Sequence, residues 1–126
     1  MKYSAPISAG ELLDKITILE LKLKYAEPGS SKFANVKKEL DLLMEVAGDL
    51  LNPDNEAFSY IDDLRSINQK LWIIEDEIRV CESNEQFGPE FVALARSVYI
   101  TNDERASCKR KINIAVKSEL IEEKLY

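Results

Sequence analysis

The chain has 126 residues, and its 23 Asp and Glu residues outnumber its 17 Lys and Arg residues. The resulting net charge of −6 argues against a general nucleic-acid surface, which needs clustered Lys and Arg to release counterions. The absence of histidine excludes Ser–His and Cys–His nucleophile pairs and histidine-ligated metals. Four glycines and four prolines leave little for phosphate-cradling loops or a sheet of many strands. The composition therefore predicts a helical protein.

The cysteines and the apolar runs both predict a cytoplasmic location. Cys81 and Cys108 lie far apart and form no C-x-x-C pair, and free thiols are typical of a reducing compartment. Residues 1–7 lack the apolar stretch of a signal peptide, and no apolar run approaches the roughly 20 residues of a membrane span. We expect the protein to bind neither membrane nor nucleic acid.

Hydrophobic spacing predicts a first helix over residues 8–26 and a second over residues 31–51. Ser8 and Glu11 match a capping box at the start of the first helix, and Pro28 and Gly29 end it. Apolar residues lie on several faces of the first helix, so we expect it to pack against more than one neighbour. The second helix carries one apolar stripe: Phe33, Val36, Leu40, Leu43, Ala47 and Leu50.

The third and fourth helices are predicted over residues 56–82 and 89–117, with a short turn or helix at 119–124. Heptad spacing in the third helix favours coiled-coil-like packing over about 40 Å. Pro89 is typical of the first turn of a helix. The expected fold is all-α, a single helical domain over residues 1–126, arranged as an antiparallel bundle with a long helical hairpin.

The apolar stripe of the fourth helix is interrupted in its middle, where polar residues take its place: Thr101, Asn102, Arg105 and Lys109. Polar groups at core positions cost free energy unless they are paired, so they often mark a site. One interpretation is an anion pocket in which Arg105 supplies a planar fork and Lys109 a point charge. Asn102 and Asn113 would add amide groups.

The other interpretation of this polar face is an ion-paired helix hairpin. Residues 56–82 hold seven acids and three bases, whereas residues 96–117 hold six bases and two acids. A hairpin that turns at 83–88 would place Glu75 beside Arg96, and Asp62 or Asp63 beside Lys109. Such pairs set register more than they add stability.

The only tryptophan lies on a charged line of the third helix, away from the heptad stripe: Asn68, Trp72, Glu75, Arg79 and Glu82. Trp72 is either a packing anchor against the first helix or an interface residue, since Trp and Arg are favoured at interfaces. No dinucleotide-binding or P-loop glycine motif occurs, and Glu-x-x-His iron ligands are impossible. We assign no catalytic residue, no metal and no cofactor, and the question of enzymatic activity stays open.

The chain resembles a bacterial family known as a domain of unknown function. The resemblance covers nearly the whole chain and rests on these stretches: Ser8–Glu20, Leu71-Trp72 with Glu75-Asp76 and Ile78-Arg79, Phe87-Gly88-Pro89, Leu94–Tyr99, Thr101–Asp103 with Arg105, Lys109-Arg110 with Ile112-Asn113, and Glu122–Tyr126. The resemblance implies no activity. It implies a role accessory to surface-polysaccharide or glycosyltransfer pathways only because such domains are associated with them.

Two hypotheses from different classes follow. The first is a non-enzymatic helical interaction protein, a homodimer that also binds a protein partner, because long heptad helices bury their seams poorly alone. The second is a binder of small carboxylates or phosphates, or an enzyme without histidine, that acts by electrostatic preorganisation. Its ligand would contact seven candidate residues: Asn102, Arg105, Lys109, Tyr99, Arg79, Glu75 and Asp14.

Overall fold

The computed structural model describes residues 1–126 and contains helices but no strand. Four α-helices follow one another: α1 (Ala9–Tyr25), α2 (Ser31–Ala47), α3 (Phe58–Ser83) and α4 (Pro89–Ala115). A short 3-10 helix, Gly48–Leu51, follows α2. The all-α bundle with a long α3–α4 hairpin is therefore confirmed.

Two predicted segments differ from the structure. The second helix was expected to reach residue 51, but Gly48 takes a φ of +48° and the chain tightens into the 3-10 turn. No turn or helix forms at residues 119–124, where the chain is irregular. Lys117, with a φ of +54°, redirects the chain after α4, and the segment beyond it bonds through side chains to other elements.

The start of α1 shows half of the predicted capping box. The Ser8 hydroxyl oxygen accepts a hydrogen bond from the Glu11 N–H at 3.1 Å, which satisfies one of the free amides of the first turn. The Glu11 carboxylate makes no return bond to Ser8. It forms an ion pair with Lys109 of α4, 2.7 Å away.

The core is built around α1, which packs against α2, α3 and α4 as its several apolar faces predicted. Eleven buried residues form one hydrophobic cluster: Leu12, Leu13, Ile16, Leu19, Leu40, Ala47, Ala57, Ile61, Leu64, Cys108 and Ile112. None of them lies between Leu64 and Cys108. We call residues 73–100 the arm; within it only Ile74 and Cys81 are buried.

Trp72 packs within the chain, as the first of its two interpretations predicted. Its indole stacks on the Tyr25 ring at the end of α1, with ring centroids 5.0 Å apart and planes 12° apart. Offset stacking of aromatic rings stabilises a contact beyond the area it buries. The stacked rings of Tyr25 and Trp72 therefore stabilise the contact between the end of α1 and the middle of α3.

Candidate functional site

A buried carboxylate joins three helices. Asp14 of α1 has no solvent exposure and accepts hydrogen bonds from both branches of Arg105 on α4: Nε to Oδ1 at 2.9 Å, and Nη2 to Oδ2. The Asn68 amide of α3 donates to Asp14 Oδ1 and to Thr17 Oγ1, each at 2.9 Å. Each carboxylate oxygen is therefore paired, as a buried charge requires.

Lys109 forms the second charged centre, one turn further along α4. Its Nζ lies 2.7 Å from Glu11, 3.1 Å from Glu122 and 4.0 Å from Asp14, and its side chain is 12% exposed. Burial by itself would lower the pKa of Lys109, but the hydrogen bonds to Glu11 and Glu122, together with the nearby negative charges of Asp14 and Glu11, outweigh it and raise the pKa. In return, the Lys109 ammonium lowers the pKa of Glu122. Lys109 is therefore a stable cation that already holds two carboxylates.

Arg105 is fixed in its charged form by the same junction. The hydrogen bond to Asp14 raises the pKa of its guanidinium more than burial lowers it. Its third nitrogen, Nη1, makes only a 3.4 Å bond to Asn102 Oδ1. Arg105 therefore keeps donor capacity on the side away from Asp14.

The start of α1 approaches α4 closely because Gly10 has no side chain. The Gly10 N–H donates to Asn113 Oδ1 at 2.7 Å, and a Cβ at Gly10 would lie 2.5 Å from the Lys109 carbonyl oxygen. Asn113 is buried by this crossing. Asn113 also lines a cavity of about 540 Å³ beside Lys109 and Arg110, but its Oδ1 is already occupied by the Gly10 N–H.

Residues 118–126, which we call the C-terminal segment, lie against α4. Ser118 Oγ accepts a hydrogen bond from the Ala9 N–H at 3.2 Å, close to the start of α1. Three ion pairs with α4 follow: Glu122 with Lys109 at 3.1 Å, Glu123 with Arg110 at 3.3 Å, and Lys124 with Asp103 at 3.5 Å. The segment thus supplies one wall of the site.

The larger groove beside this segment contains four of the seven candidate residues: Tyr99, Asn102, Arg105 and Lys109. Its volume is about 710 Å³, and eight further residues complete its walls: Glu11, then Val98, Asp103 and Ala106 of α4, and Glu122, Glu123, Lys124 and Tyr126 of the C-terminal segment. The polar interruption in the stripe of α4 therefore does face a concave surface. That surface carries acids as well as bases.

A smaller, adjoining groove of about 390 Å³ contains Glu75 and Arg79 and shares Asn102 and Arg105 with the larger one. Asp14 lines neither groove, because it lies buried behind Arg105. Six of the seven candidates are thus exposed to two connected grooves, and the seventh holds Arg105 in place.

The predicted ion pairs between the third and fourth helices are wrong. Lys109 pairs with Glu11 and Glu122, Asp62 pairs with Arg65 inside α3, and no ion pair joins α3 to α4. The physical reason is the rotation of α4: the cations of its polar face point towards α1 and the C-terminal segment. Their carboxylate partners therefore come from outside the hairpin.

Sequence reasoning missed four contributors to this site: Thr17, Asn68, Glu11 and Glu122. Asp14 and Thr17 lie among the apolar positions Leu13, Ile16 and Ile18 of α1, which was the available signal for a polar contact. Nothing local in the sequence around Glu122 marks Lys109 as its partner. One buried hydroxyl, Thr101 Oγ1, has no hydrogen-bond partner.

The chemistry available at the site is the binding of carboxylate and other anionic groups. Arg105 and Lys109 are stable cations, and burial raises the pKa of the nearest thiol, Cys108, to about 11, so it is a poor nucleophile at neutral pH. No group of three or more Cys, Asp or Glu side chains is placed to hold a metal ion. No helix combines the length and apolar character needed to cross a membrane.

The fold and the site together define an all-helical protein whose three-helix junction is held by a buried ion pair. The chain belongs to a family of unknown function, DUF6165, whose model matches residues 1–126. No curated protein and no solved structure gives a significant match to the chain.

Proposed function

We propose that this chain is a non-enzymatic helical interaction protein that forms a homodimer through the arm. The observation that carries the proposal is the extent of the core, which contains no residue between Leu64 and Cys108. Over the arm, α3 and α4 bury only their common seam. Helices owe most of their stability to tertiary packing, so a bare two-helix hairpin gains from a partner.

The arm also carries apolar side chains on its solvent side at coiled-coil spacing. Ile73 and Val80 of α3 are seven residues apart, and so are Val92 and Tyr99 of α4; each is about half exposed. These positions are distinct from the buried seam at Ile74. Two hairpins that pair along such stripes form a four-helix bundle, and twofold symmetry is the commonest way for identical chains to associate.

The proposal extends to a cytoplasmic location and to a protein partner for the assembled dimer. Both cysteines are free thiols, which fits a reducing compartment. Labelling of Cys81 and Cys108 by a thiol reagent in denatured protein from freshly lysed cells tests the location. Recovery of the cysteines in oxidised form would contradict it.

Light scattering coupled to size-exclusion chromatography tests the dimer. At about 100 µM, well above a micromolar Kd, we expect twice the 14.4-kDa chain mass. The double variant Val80→Glu, Val92→Glu places charges in the stripe and should run as a monomer with unchanged helical circular dichroism. Val46→Glu on α2, an equally exposed valine outside the arm, should remain dimeric. A monomeric wild-type chain at this concentration would overturn the proposal.

One observation favours a second candidate function, the binding of small anions. Arg105 Nη1 retains donor capacity where the two grooves meet, and Arg79 lines the smaller groove without an ion-pair partner. Citrate or phosphate bound there would raise the Tm by mass action, above the effect of chloride at equal ionic strength. Arg79→Ala should abolish that increment, whereas Lys70→Ala, on α3 outside the groove, should retain it. Equal Tm values in all three salts would exclude this function.

A further inference from the structure

The C-terminal segment is held in the larger groove almost entirely by charged side chains. No backbone–backbone hydrogen bond involves residues 119–126. Its large apolar residues, including Leu125 and Tyr126, remain exposed. Glu122 and Glu123 are themselves more than half exposed in their ion pairs. Ion pairs of this kind contribute little free energy each, so the segment can be displaced without loss of core packing.

The segment also leaves space around itself. Two cavities, of about 710 and 540 Å³, are each lined by Lys109 and by Glu122, Glu123, Lys124 and Tyr126. The segment therefore forms a wall of both cavities and fills neither. A longer or bulkier segment has room to follow the same path.

Two charged residues of α4, Arg110 and Asp103, have ion-pair partners only in the C-terminal segment. Asp14 and Glu11 together neutralise Arg105 and Lys109. Arg110, the next cation of α4, has Glu123 as its only partner, and Asp103 has Lys124. In the order of the C-terminal segment, Glu122 pairs with Lys109, Glu123 with Arg110 and Lys124 with Asp103. The residues of α4 thus match two successive acids followed by a base.

We propose that this groove is a recognition site for an acidic peptide segment of a partner protein, with two successive acids followed by a base. The chain's own C-terminal segment, with Glu122, Glu123 and Lys124, is an internal occupant that keeps the groove closed. Binding of the partner exchanges one set of ion pairs for an equivalent set, so it changes the net charge of the groove very little. The ion-pairing residues of the site, Asp103, Lys109 and Arg110, lie outside the arm, although Tyr99 belongs both to this groove and to the stripe proposed for dimerisation.

Peptide binding in trans tests this proposal directly. A chain that ends at Ser118 keeps the Ala9 N–H to Ser118 Oγ bond and opens the groove. The N-acetylated peptide of residues 119–126 is titrated into this shortened chain and into the full chain, and amide NMR shifts of Asp103, Lys109 and Arg110 are followed. We expect saturable shifts in the shortened chain at up to about 5 mM peptide, a range that covers a millimolar Kd. In the full chain we expect at least about tenfold weaker binding, because the internal occupant competes.

Matched peptides define the recognition. Glu122→Gln in the peptide should weaken binding by up to about fivefold, since it removes one partly exposed ion pair to Lys109. Glu119→Gln, which removes an acid that makes no ion pair in the structure, should bind as tightly as the parent peptide. A peptide with Glu122→Lys, Glu123→Lys and Lys124→Glu should not bind.

Three results would overturn the proposal. They are the absence of shifts at the highest peptide concentration, equal affinity for both chain lengths, and identical shifts with free glutamate at the same concentration. If the shortened chain does not fold, the full chain with Glu122→Gln and Glu123→Gln takes its place. Both substitutions are at exposed positions, and both release the segment from the cations of α4.

Discussion

Arg105 holds Asp14 through two N–H···O bonds, with Asp14 wholly buried and Arg105 still 27% exposed on the groove side. The pair connects α4 to α1 at the level where α3 also contributes its Asn68 amide. A carboxylate buried in this way needs its partner, because the free energy of removing the charge from water is otherwise uncompensated. The junction therefore sets the relative rotation of three helices.

Breaking this pair from one side should be strongly destabilising. We expect Asp14→Asn and Arg105→Met each to lower the free energy of unfolding in urea by about 3–5 kcal/mol. The double variant should cost clearly less than the two single effects combined, by at least about 1 kcal/mol, because no charge is left unpaired. The exposed pair Glu20 and Arg65 is the matched control, with a coupling below about 1 kcal/mol. Additive effects at Asp14 and Arg105 would contradict the role given to the junction.

Gly10→Ala tests the close approach of α1 to α4. The new Cβ would lie 2.5 Å from the Lys109 carbonyl oxygen and 3.1 Å from Asn113 Oδ1, so the helices must separate. We expect a loss of about 1–3 kcal/mol in the free energy of unfolding, typical of overpacking. Gly88→Ala, where a Cβ meets nothing within 4 Å, should change stability by at most about 1 kcal/mol. Similar losses at both glycines would rule out the contact as the cause.

Tyr25→Ala should be visible in the fluorescence of Trp72, the only tryptophan in the chain. Loss of the stacked ring exposes one face of the indole, so the emission maximum should shift to longer wavelength. The free energy of unfolding should fall by about 0.5–1.5 kcal/mol from the lost ring contact. Tyr3→Ala, at an exposed position near the N-terminus, should leave emission and stability unchanged. An unshifted emission maximum in Tyr25→Ala would show that the stack does not persist in solution.

The docking of the C-terminal segment should depend on pH. The pKa of Glu122 is lowered by Lys109, so its contribution is present above the ordinary glutamate value of about 4.3 and is lost as pH falls through the lowered value. The pKa of Lys109 is raised, so its contribution disappears only as pH rises beyond about 10.4. Heteronuclear NOE values of residues 120–126 should therefore be high near neutral pH and fall below about pH 4. Glu122→Gln should give low values near neutral pH as well, and a segment that stays ordered in strong acid would contradict this mechanism.

The proposed dimer should strengthen with salt. The arm holds six acids, Glu75, Asp76, Glu77, Glu82, Glu85 and Glu90, against two bases, Arg79 and Arg96, so two arms repel each other. Raising NaCl from about 0.1 M to about 1 M shortens the Debye length from about 10 Å to about 3 Å and screens that repulsion. Sedimentation equilibrium should show a lower Kd at high salt. A dimer that dissociates at high salt would indicate an interface built on ion pairs elsewhere in the molecule.

The helices were predictable because their signals are local. The Ser8 cap, the break at Pro28 and Pro89 at the start of α4 act within a few residues of themselves. The polar interruption at Asn102 and Arg105 was also visible in the spacing of α4. What the spacing could not supply was the partner of Arg105, since both an α3 acid and a ligand were compatible with the same pattern.

Local patterns in the amino-acid sequence specify which segments are helical, which faces are apolar, and that α4 carries charge where its stripe should continue. Those properties follow from caps, breakers and a 3.6-residue period, all of which act along one helix. The packing of the helices in the folded chain is what pairs the cations of α4 with Asp14 and Glu11 of α1 and with Glu122. These pairings depend on how the helices rotate and cross. Asp14 and Arg105, for example, are more than ninety positions apart in the chain, so no local sequence pattern specifies their contact.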